Sequence, residues 1–260
     1  MENTELVQLF DEAFPFWNDI TDSDRSTFLR SSMQVRFHKG ATVHDGGECT
    51  GVILIKSGVL RLYMLSDEGK EVTLYRLFPG EMCILSASCV LDTITFDVFI
   101  DAEEDSECVV VGGCAYEGLW QKNDQVKIFT YETALSRFSD VMWIMQQILF
   151  MSMDKRLAIF LLDETAKSGS DTIKLTHEQI AKYMGSAREV VSRMMKYFAS
   201  EGIVSASRSE GIKILDKKKL REIARYSHEQ ISRTFNNLIY VKKNDTYVLP
   251  CIVLFLFLFW

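Results

Sequence analysis

The sequence has no CxxC pair, only four histidines, and no basic segment leading into an apolar run at its start. Each absence removes a class of function. Six cysteines (49, 83, 89, 108, 114 and 251) without CxxC spacing make neither a zinc ribbon nor a thioredoxin-type redox pair. With two of the four histidines in the back half, little remains for the His/Glu ligand cluster of a cupin-type metal-dependent enzyme. The opening "MENTELVQLFDEAFPF" carries acids early and does not read as a signal peptide. A cytoplasmic location is therefore expected, with thiols free, reactive or metal-bound before they form a disulfide framework. The last 13 residues, Val248 to Trp260, carry no charge. As a helix they would span about 20 Å, short of a bilayer core of about 30 Å. No membrane partner is expected, and a membrane-associated ligand-binding protein using this tail is the weaker alternative.

What is present describes a soluble globular chain. It is 47% hydrophobic and 25% charged, and 260 residues suit two domains better than one. Charge is unevenly placed. Residues 1–150 hold 11 basic and 24 acidic side chains, a balance of −13, while the remainder carries +6. An acidic front half and a basic back half imply that only the back half meets a polyanion.

From about Val35 to Gly113 the pattern is β. "GVILIKSGVLRLYMLSDEGKEVTLYRLF" gives three short apolar runs punctuated by Ser57-Gly58 and by Ser66 to Gly69, the composition of hairpin turns. Further runs lie at Phe96–Ile100 and Cys108–Val111. Many short strands at regular spacing read as a sandwich or small barrel.

The pattern changes at Leu119. Ile128, Tyr131, Leu135, Phe138, Met142, Met145, Leu149 and Ser152 follow alternating steps of three and four, the seam of a two-helix coiled coil. A second stripe of Val141, Ile144, Ile148 and Met151 lies on another flank. One stripe can pack on the β-domain while the other meets a second copy. A further helix is expected from about Asp154 to Ala166, capped by Ser152 or Asp154.

"LTHEQIAKYMGSAREVVSRMMKYFASEGIV" (175–204) reads as two helices joined by a tight turn. Thr176 and Gln179 make a capping box that fixes the first helix start, and Gly185 supplies the turn. Ile180, Met184, Val191 and Met194 are expected inside, with Ala181 small enough for a close crossing. The second helix presents Arg188, Glu189, Ser192 and Arg193. "GIVSASRSEGIKIL" (202–215) reads as a hairpin wing flanked by Arg208 and Lys213. This is a helix-turn-helix whose chemistry suits double-stranded DNA. Arg can donate two bonds to guanine, and Glu can accept from cytosine. Ser192, Lys196 and the first-helix start at Thr176 and His177 can hold phosphates. The bland reading is a solvated face in which Glu189 and Arg193 form an ordinary i,i+4 pair.

With the Gly-punctuated β-region, Gly80-Glu81, the long helix and "GSAREVVSR" in place, the chain resembles the Crp/Fnr family of bacterial transcription regulators over about residues 10–225. The resemblance implies an α+β fold: a cupin-like β-barrel (double-stranded β-helix) sensor, a long dimerisation helix and a winged helix-turn-helix. It implies a homodimer on a near-palindromic site, controlled by a small molecule or redox signal, with RNA polymerase as partner if it activates. Arg188, Glu189 and Arg193 fall on the family's base-reading positions, and Ser192 matches a position used in the oxygen-sensing branch. Ala187 and Val190 depart from the Ser and Thr of many members. The expected boundaries are 1–117 for the sensor, 118–152 for the dimerisation helix, 153–225 for the DNA-binding domain and 226–260 for the apolar tail.

The effector turn is "GEMCILSASC", with Gly80, Glu81, Cys83 and Cys89 as candidate sensing residues, read as a turn and short helix. Cyclic-nucleotide-binding members follow Gly-Glu with an Arg that grips the phosphate. Here no Arg occurs between Arg76 and Arg137, and Asp97, Asp101 and Glu103 to Asp105 would repel a phosphate. A cyclic nucleotide is disfavoured. The oxygen-sensing branch's iron–sulfur cluster is disfavoured too, because the first cysteine is Cys49. Haem or a metal stays open, through Cys83 or Cys89 and through His38 or His44, as does thiol redox chemistry. Cys83 and Cys89 are six residues apart, too far to bond along a regular strand or helix without a fold-back. Cys108 and Cys114 offer cross-strand partners. The alternative is that these thiols are small buried hydrophobes.

Overall fold

The structure, a computed structural model, describes residues 2–47, 49–87, 96–207 and 211–225. The expectations for Cys89, Arg208 and the tail beyond Arg225 lie outside the described residues. Helices α1 (Glu2–Ala13) and α2 (Asp22–Arg30) come first. Eight strands follow: β1 (Ser32–Phe37), β2 (Thr42–Asp45), β3 (Val52–Ser57), β4 (Leu60–Leu65), β5 (Glu71–Leu77), β6 (Met82–Cys83), β7 (Phe99–Ala102) and β8 (Ser106–Val111). Then come α3 (Gly113–Lys122), α4 (Asp124–Phe150), α5 (Met153–Ser168), β9 (Thr172–Ile173), α6 (His177–Met184), α7 (Arg188–Ser200), β10 (Val204–Ser207), β11 (Gly211–Ile214) and α8 (Lys217–Arg225). The chain divides into two compact units between Ile144 and Met145.

In the first unit the strands form two antiparallel four-stranded sheets, in the orders β1-β8-β3-β6 and β2-β7-β4-β5. Strand β3 explains how they pack. Its run Val52-Ile53-Leu54-Ile55 is wholly buried because successive side chains enter different cores. Ile53 and Ile55 join Leu60, Leu62, Leu74 and Ile100 between the sheets. Val52 and Leu54 join Val109 and Val111 on the opposite face, under the helices. That second core is aromatic: Phe10 lies 5.2 Å from both Trp17 and Phe28, ring centre to ring centre. Sequence reading missed α1 and α2, which with the segment between them bring Phe10, Phe14, Phe16, Trp17 and Phe28 over this face of the sheet.

The expected β-roll is present as two four-stranded antiparallel sheets around the core of Ile53, Ile55, Leu62 and Ile100. Among the described residues no strand pair joins the two sheets. The stretch "GEMCILSA", the described part of the effector turn, is corrected. It is a turn followed by the two-residue strand β6, pairing Met82 with Leu54 and Cys83 with Ile53, with another turn at Leu85-Ser86. Its backbone pairs with strand β3 while its side chains are buried, so no helix starts among the described residues of this stretch.

Helical structure begins at Gly113, before the expected Leu119, and breaks once at Asn123. The Asn123 Oδ1 accepts from the backbone N–H of Gln125 at 2.9 Å and Val126 at 3.3 Å, which starts α4 afresh. A buried Tyr116 Oη to Thr130 Oγ1 hydrogen bond of 2.9 Å ties α3 to α4. On α4 the seam is exposed, as its spacing predicts: Tyr131 is 56%, Leu135 68%, Phe138 60% and Leu149 64% accessible. On the other flank Val141 packs against the core between the sheets.

The second unit has its own core, with Leu157 and Leu161 of α5, Ile180 of α6, Val191, Met195 and Phe198 of α7, and Leu220 of α8. Strands β10, β11 and β9 form a three-stranded antiparallel wing. Met195 takes the buried position expected of Met194, which is only partly buried. Both spacings fit a helix face from Val191. The core takes the i, i+4, i+7 row Val191, Met195, Phe198.

Candidate nucleic-acid interface and sensor turn

The helix-turn-helix is built as its sequence dictates. Thr176 Oγ1 accepts from the Gln179 N–H at 3.2 Å, and Gln179 Oε1 accepts from the Thr176 N–H at 2.8 Å. This reciprocal pair satisfies two donors that the first turn of α6 would leave open. At the other end Gly185 adopts φ 56°, a left-handed conformation that costs a side-chain-bearing residue more. The Ser186 N–H then reaches the Ala181 carbonyl at 2.9 Å and the Gly185 N–H reaches that of Lys182 at 3.3 Å, a Schellman closure. α6 is thus fixed at both ends before α7 starts.

α7 begins after Ala187, whose side chain makes no cap. Arg188, Glu189, Arg193 and Lys196 are exposed, and Ser192 is half-buried beside them. Arg193 Nε donates to the Glu189 backbone carbonyl at 3.4 Å rather than to its carboxylate. The i,i+4 ion pair of the bland reading is therefore not made. Thr176 is exposed at the start of α6, and the adjacent His177 is half-buried. Its pKa is lowered by burial first and then by the charge of Arg188. Lys213 is exposed on the wing strand β11. Exposed Arg, Lys and hydroxyl donors therefore stand at the start of α6, along α7 and on the wing.

At the sensor turn, Gly80 has φ 85° and its N–H reaches the Ile55 carbonyl at 2.8 Å. Glu81 Oε2 accepts from the Phe78 N–H at 2.8 Å, which locks the turn from inside. Glu81 Oε1 meets Arg137 Nη2 of α4 at 3.3 Å, and Arg137 Nη1 meets Asp140 at 3.2 Å. The Arg137 guanidinium also lies 4.9 Å from the centre of the Tyr75 ring, in cation–π range. Sequence reading did not find Arg137, Asp140 or Tyr75 as parts of this site. Only the fold brings an α4 side chain back over a turn 56 residues earlier.

Cys83 is buried beneath this cluster, and burial pushes its thiol pKa up, against hydrogen bonds from Ser86 and Leu85. It is a thiol rather than a thiolate in this conformation. Cys108 and Cys114 are free and do not pair. Cys108 faces Val35 and Ile55 across its sheet, while Cys114 sits on α3. Cys49 is disulfide-bonded, which corrects the expectation for that thiol, where a free, reactive or metal-bound cysteine ranks ahead of a disulfide. His38 is exposed beside Asp105, and His44 is buried with Nδ1 2.8 Å from Thr50 Oγ1. Among the described residues no group of three or more His, Cys, Asp or Glu could hold a metal ion. The acids expected to repel a phosphate have other work: Asp101 and Glu103 surround the buried Arg61 at 3.3 and 3.9 Å, with Glu71 at 2.7 Å.

A crystal structure of a transcriptional regulator of the Crp/Fnr family from Eubacterium rectale matches this fold with a TM-score of 0.78. The sequences are 45% identical over 82% of this chain and 99% of that one. The chain belongs to the Crp/Fnr family. The Crp-like helix-turn-helix domain matches residues 155–223. The transcriptional activator protein Anr of Pseudomonas aeruginosa is 28% identical over 199 residues, covering 72% of this chain and 78% of Anr. The cAMP-activated global regulator CRP of Haemophilus influenzae is 21% identical over 174 residues, covering 65% of this chain and 77% of that protein. As a Crp/Fnr member the chain is a DNA-binding transcription regulator and not an enzyme. Among the described residues no helix is long and apolar enough to cross a membrane.

Proposed function

We propose that this Crp/Fnr regulator works in the cytoplasm as a homodimer that reads a near-palindromic DNA site. Arg188, Glu189 and Arg193 contact base edges, while Ser192, Lys196, Thr176 and His177 hold phosphates. The observation that carries this reading is the exposed Arg188–Glu189–Arg193 face at the start of α7, behind a helix-turn-helix closed at both ends. The exposed apolar seam from Ile128 to Leu149 supports a second copy as the partner of α4. Residues 1–117 act as sensor, 118–152 as dimerisation helix and 153–225 as DNA-binding domain. RNA polymerase is a partner if the protein activates.

The signal acts at the turn of Gly80, Glu81 and Cys83, through thiol chemistry, a metal or haem in preference to a cyclic nucleotide. What supports this is the linkage of that turn to α4 through Arg137, a guanidinium already engaged by two carboxylates and so poorly placed to grip a phosphate. Selection of duplexes from a randomised pool tests the reading. The expected result is a site with two inverted half-sites, bound by two chains. Enrichment of no sequence, or a single-copy complex, would contradict it.

A further inference from the structure

The first two turns of α5 touch the elbow of the helix-turn-helix at three places along one face. Met153 Sδ receives a hydrogen bond from Ser186 Oγ at 3.8 Å, Arg156 Nη2 donates to the Met184 carbonyl, and Phe160 stacks on Tyr183 with ring centres 5.7 Å apart. Positions 153, 156 and 160 follow the i, i+3, i+7 spacing of a single helix face. Their targets, Tyr183, Met184 and Ser186, are the last residues of α6 and the turn that leads into α7.

The polar contact is unusual in its partner. Arg156 is partly buried, yet among the described residues no carboxylate pairs with it, and its Nε is buried without a hydrogen-bond partner. Burial alone pushes its pKa down. A cation withdrawn from water without a counter-charge needs another source of negative potential. Here that source is the carbonyl end of α6, where the helix dipole leaves partial negative charge. The Schellman closure takes the Ala181 and Lys182 carbonyls, and Arg156 takes the Met184 carbonyl beyond them.

We propose that Arg156, held between Met153 and Phe160, is a positioning residue for DNA reading: it fixes the end of α6 and thereby the angle at which α7 presents Arg188, Glu189 and Arg193. It touches no base and no phosphate in this role. The inference rests on the DNA-reading surface proposed above. Sub-ångström placement of a bidentate Arg decides base discrimination, whereas backbone attraction tolerates small rotations.

The test compares full-length wild type, Arg156→Met and Arg156→Lys on a duplex selected by the wild type and on a scrambled duplex of equal length. Binding is read by fluorescence anisotropy at several salt concentrations. Arg156→Met should weaken binding to the selected duplex roughly 10–100-fold, the scale of losing a charged hydrogen bond. Binding to the scrambled duplex should change less than about twofold, with an unchanged salt slope. Arg156→Lys, which keeps a donor and a charge, should recover most of the specific affinity. If Arg156→Met does not fold, Arg156→Gln, which keeps a donor but loses the charge and the reach, decides: full wild-type affinity and specificity there would overturn the proposal. So would a parallel loss on both duplexes, which is general destabilisation. A salt slope reduced by about one would instead make Arg156 a direct phosphate contact. A wild type that selects no sequence overturns the DNA-reading assignment itself, and this inference with it.

Discussion

Arg137 Nη2 of α4 lies 3.3 Å from Glu81 Oε1 in the turn after β5, and its other terminal nitrogen meets Asp140 at 3.2 Å. The pair joins a loop of the β-roll to the helix that carries the exposed apolar seam. Under the function proposed above, a signal at the turn would reach α4 through this pair.

Removing the cation should expose that route. Arg137→Met leaves Glu81 and Asp140 without their guanidinium and removes the contact with Tyr75. Stability should fall by about 1–2 kcal/mol, between the values for exposed and fully buried pairs. Urea titration measures it. An equal midpoint in wild type and variant would mean that the pair is incidental.

The seam can be tested without disturbing the protomer. Leu135 is 68% accessible, so Leu135→Glu removes no buried contact within one chain. If α4 pairs with a second copy, the charge lands in a dry interface and the variant sediments as a monomer. Its melting behaviour as a folded chain should otherwise resemble that of surface substitutions, within about 0.5 kcal/mol. A variant that stays dimeric would move the interface elsewhere.

Cysteine reactivity should rank by environment. Cys83 is buried with its pKa raised, while Cys114 is exposed. In the native protein at pH 8, iodoacetamide should label Cys114 well before Cys83, as read by mass spectrometry of timed digests. Comparable labelling rates would show that the core beneath Glu81 opens readily, which would favour Cys83 as a sensing thiol.

His44 gives the β-roll a pH dependence of definite sign. It is buried with Nδ1 bonded to Thr50 Oγ1. Burial lowers its pKa below 6.5, outweighing Asp45 and Asp97, which raise it. Below pH 6.5 the unfolded chain takes up the proton first, so stability is present above that pH and falls as pH drops toward the folded-state value. His44→Gln should lose less stability than wild type between pH 7.5 and 5.5 in urea titrations. Parallel losses would assign the pH effect to other groups.

Local chemistry was legible in the sequence, and long-range packing was not. The Thr176–Gln179 box and the Gly185 turn depend on residues within a few positions of one another and formed as their spacing required, and the apolar stripe from Ile128 to Leu149 lies exposed on a helix. The run Val52 to Ile55 read correctly as a strand, although only the fold shows that its alternate residues serve two cores. By contrast, the Glu81–Arg137 pair and the Arg61 cluster join residues 30 or more positions apart, or on different strands, and periodicity carries no such information. The stretch "GEMCILSASC" read as a turn and short helix because the pairing of Met82 and Cys83 with Leu54 and Ile53 cannot be seen locally. Arg156 was invisible for a related reason: its partner is a backbone carbonyl, which every residue has.

Base reading from α7 is tested most directly at Arg193. Arg193 is exposed and makes only a backbone contact at 3.4 Å, so Arg193→Ala should leave fold and dimer intact. In a gel-shift assay on the duplex selected by the wild type, Arg193→Ala should lose roughly 1–3 kcal/mol of discrimination against a scrambled duplex, with sedimentation unchanged. Undiminished discrimination by Arg193→Ala would contradict it.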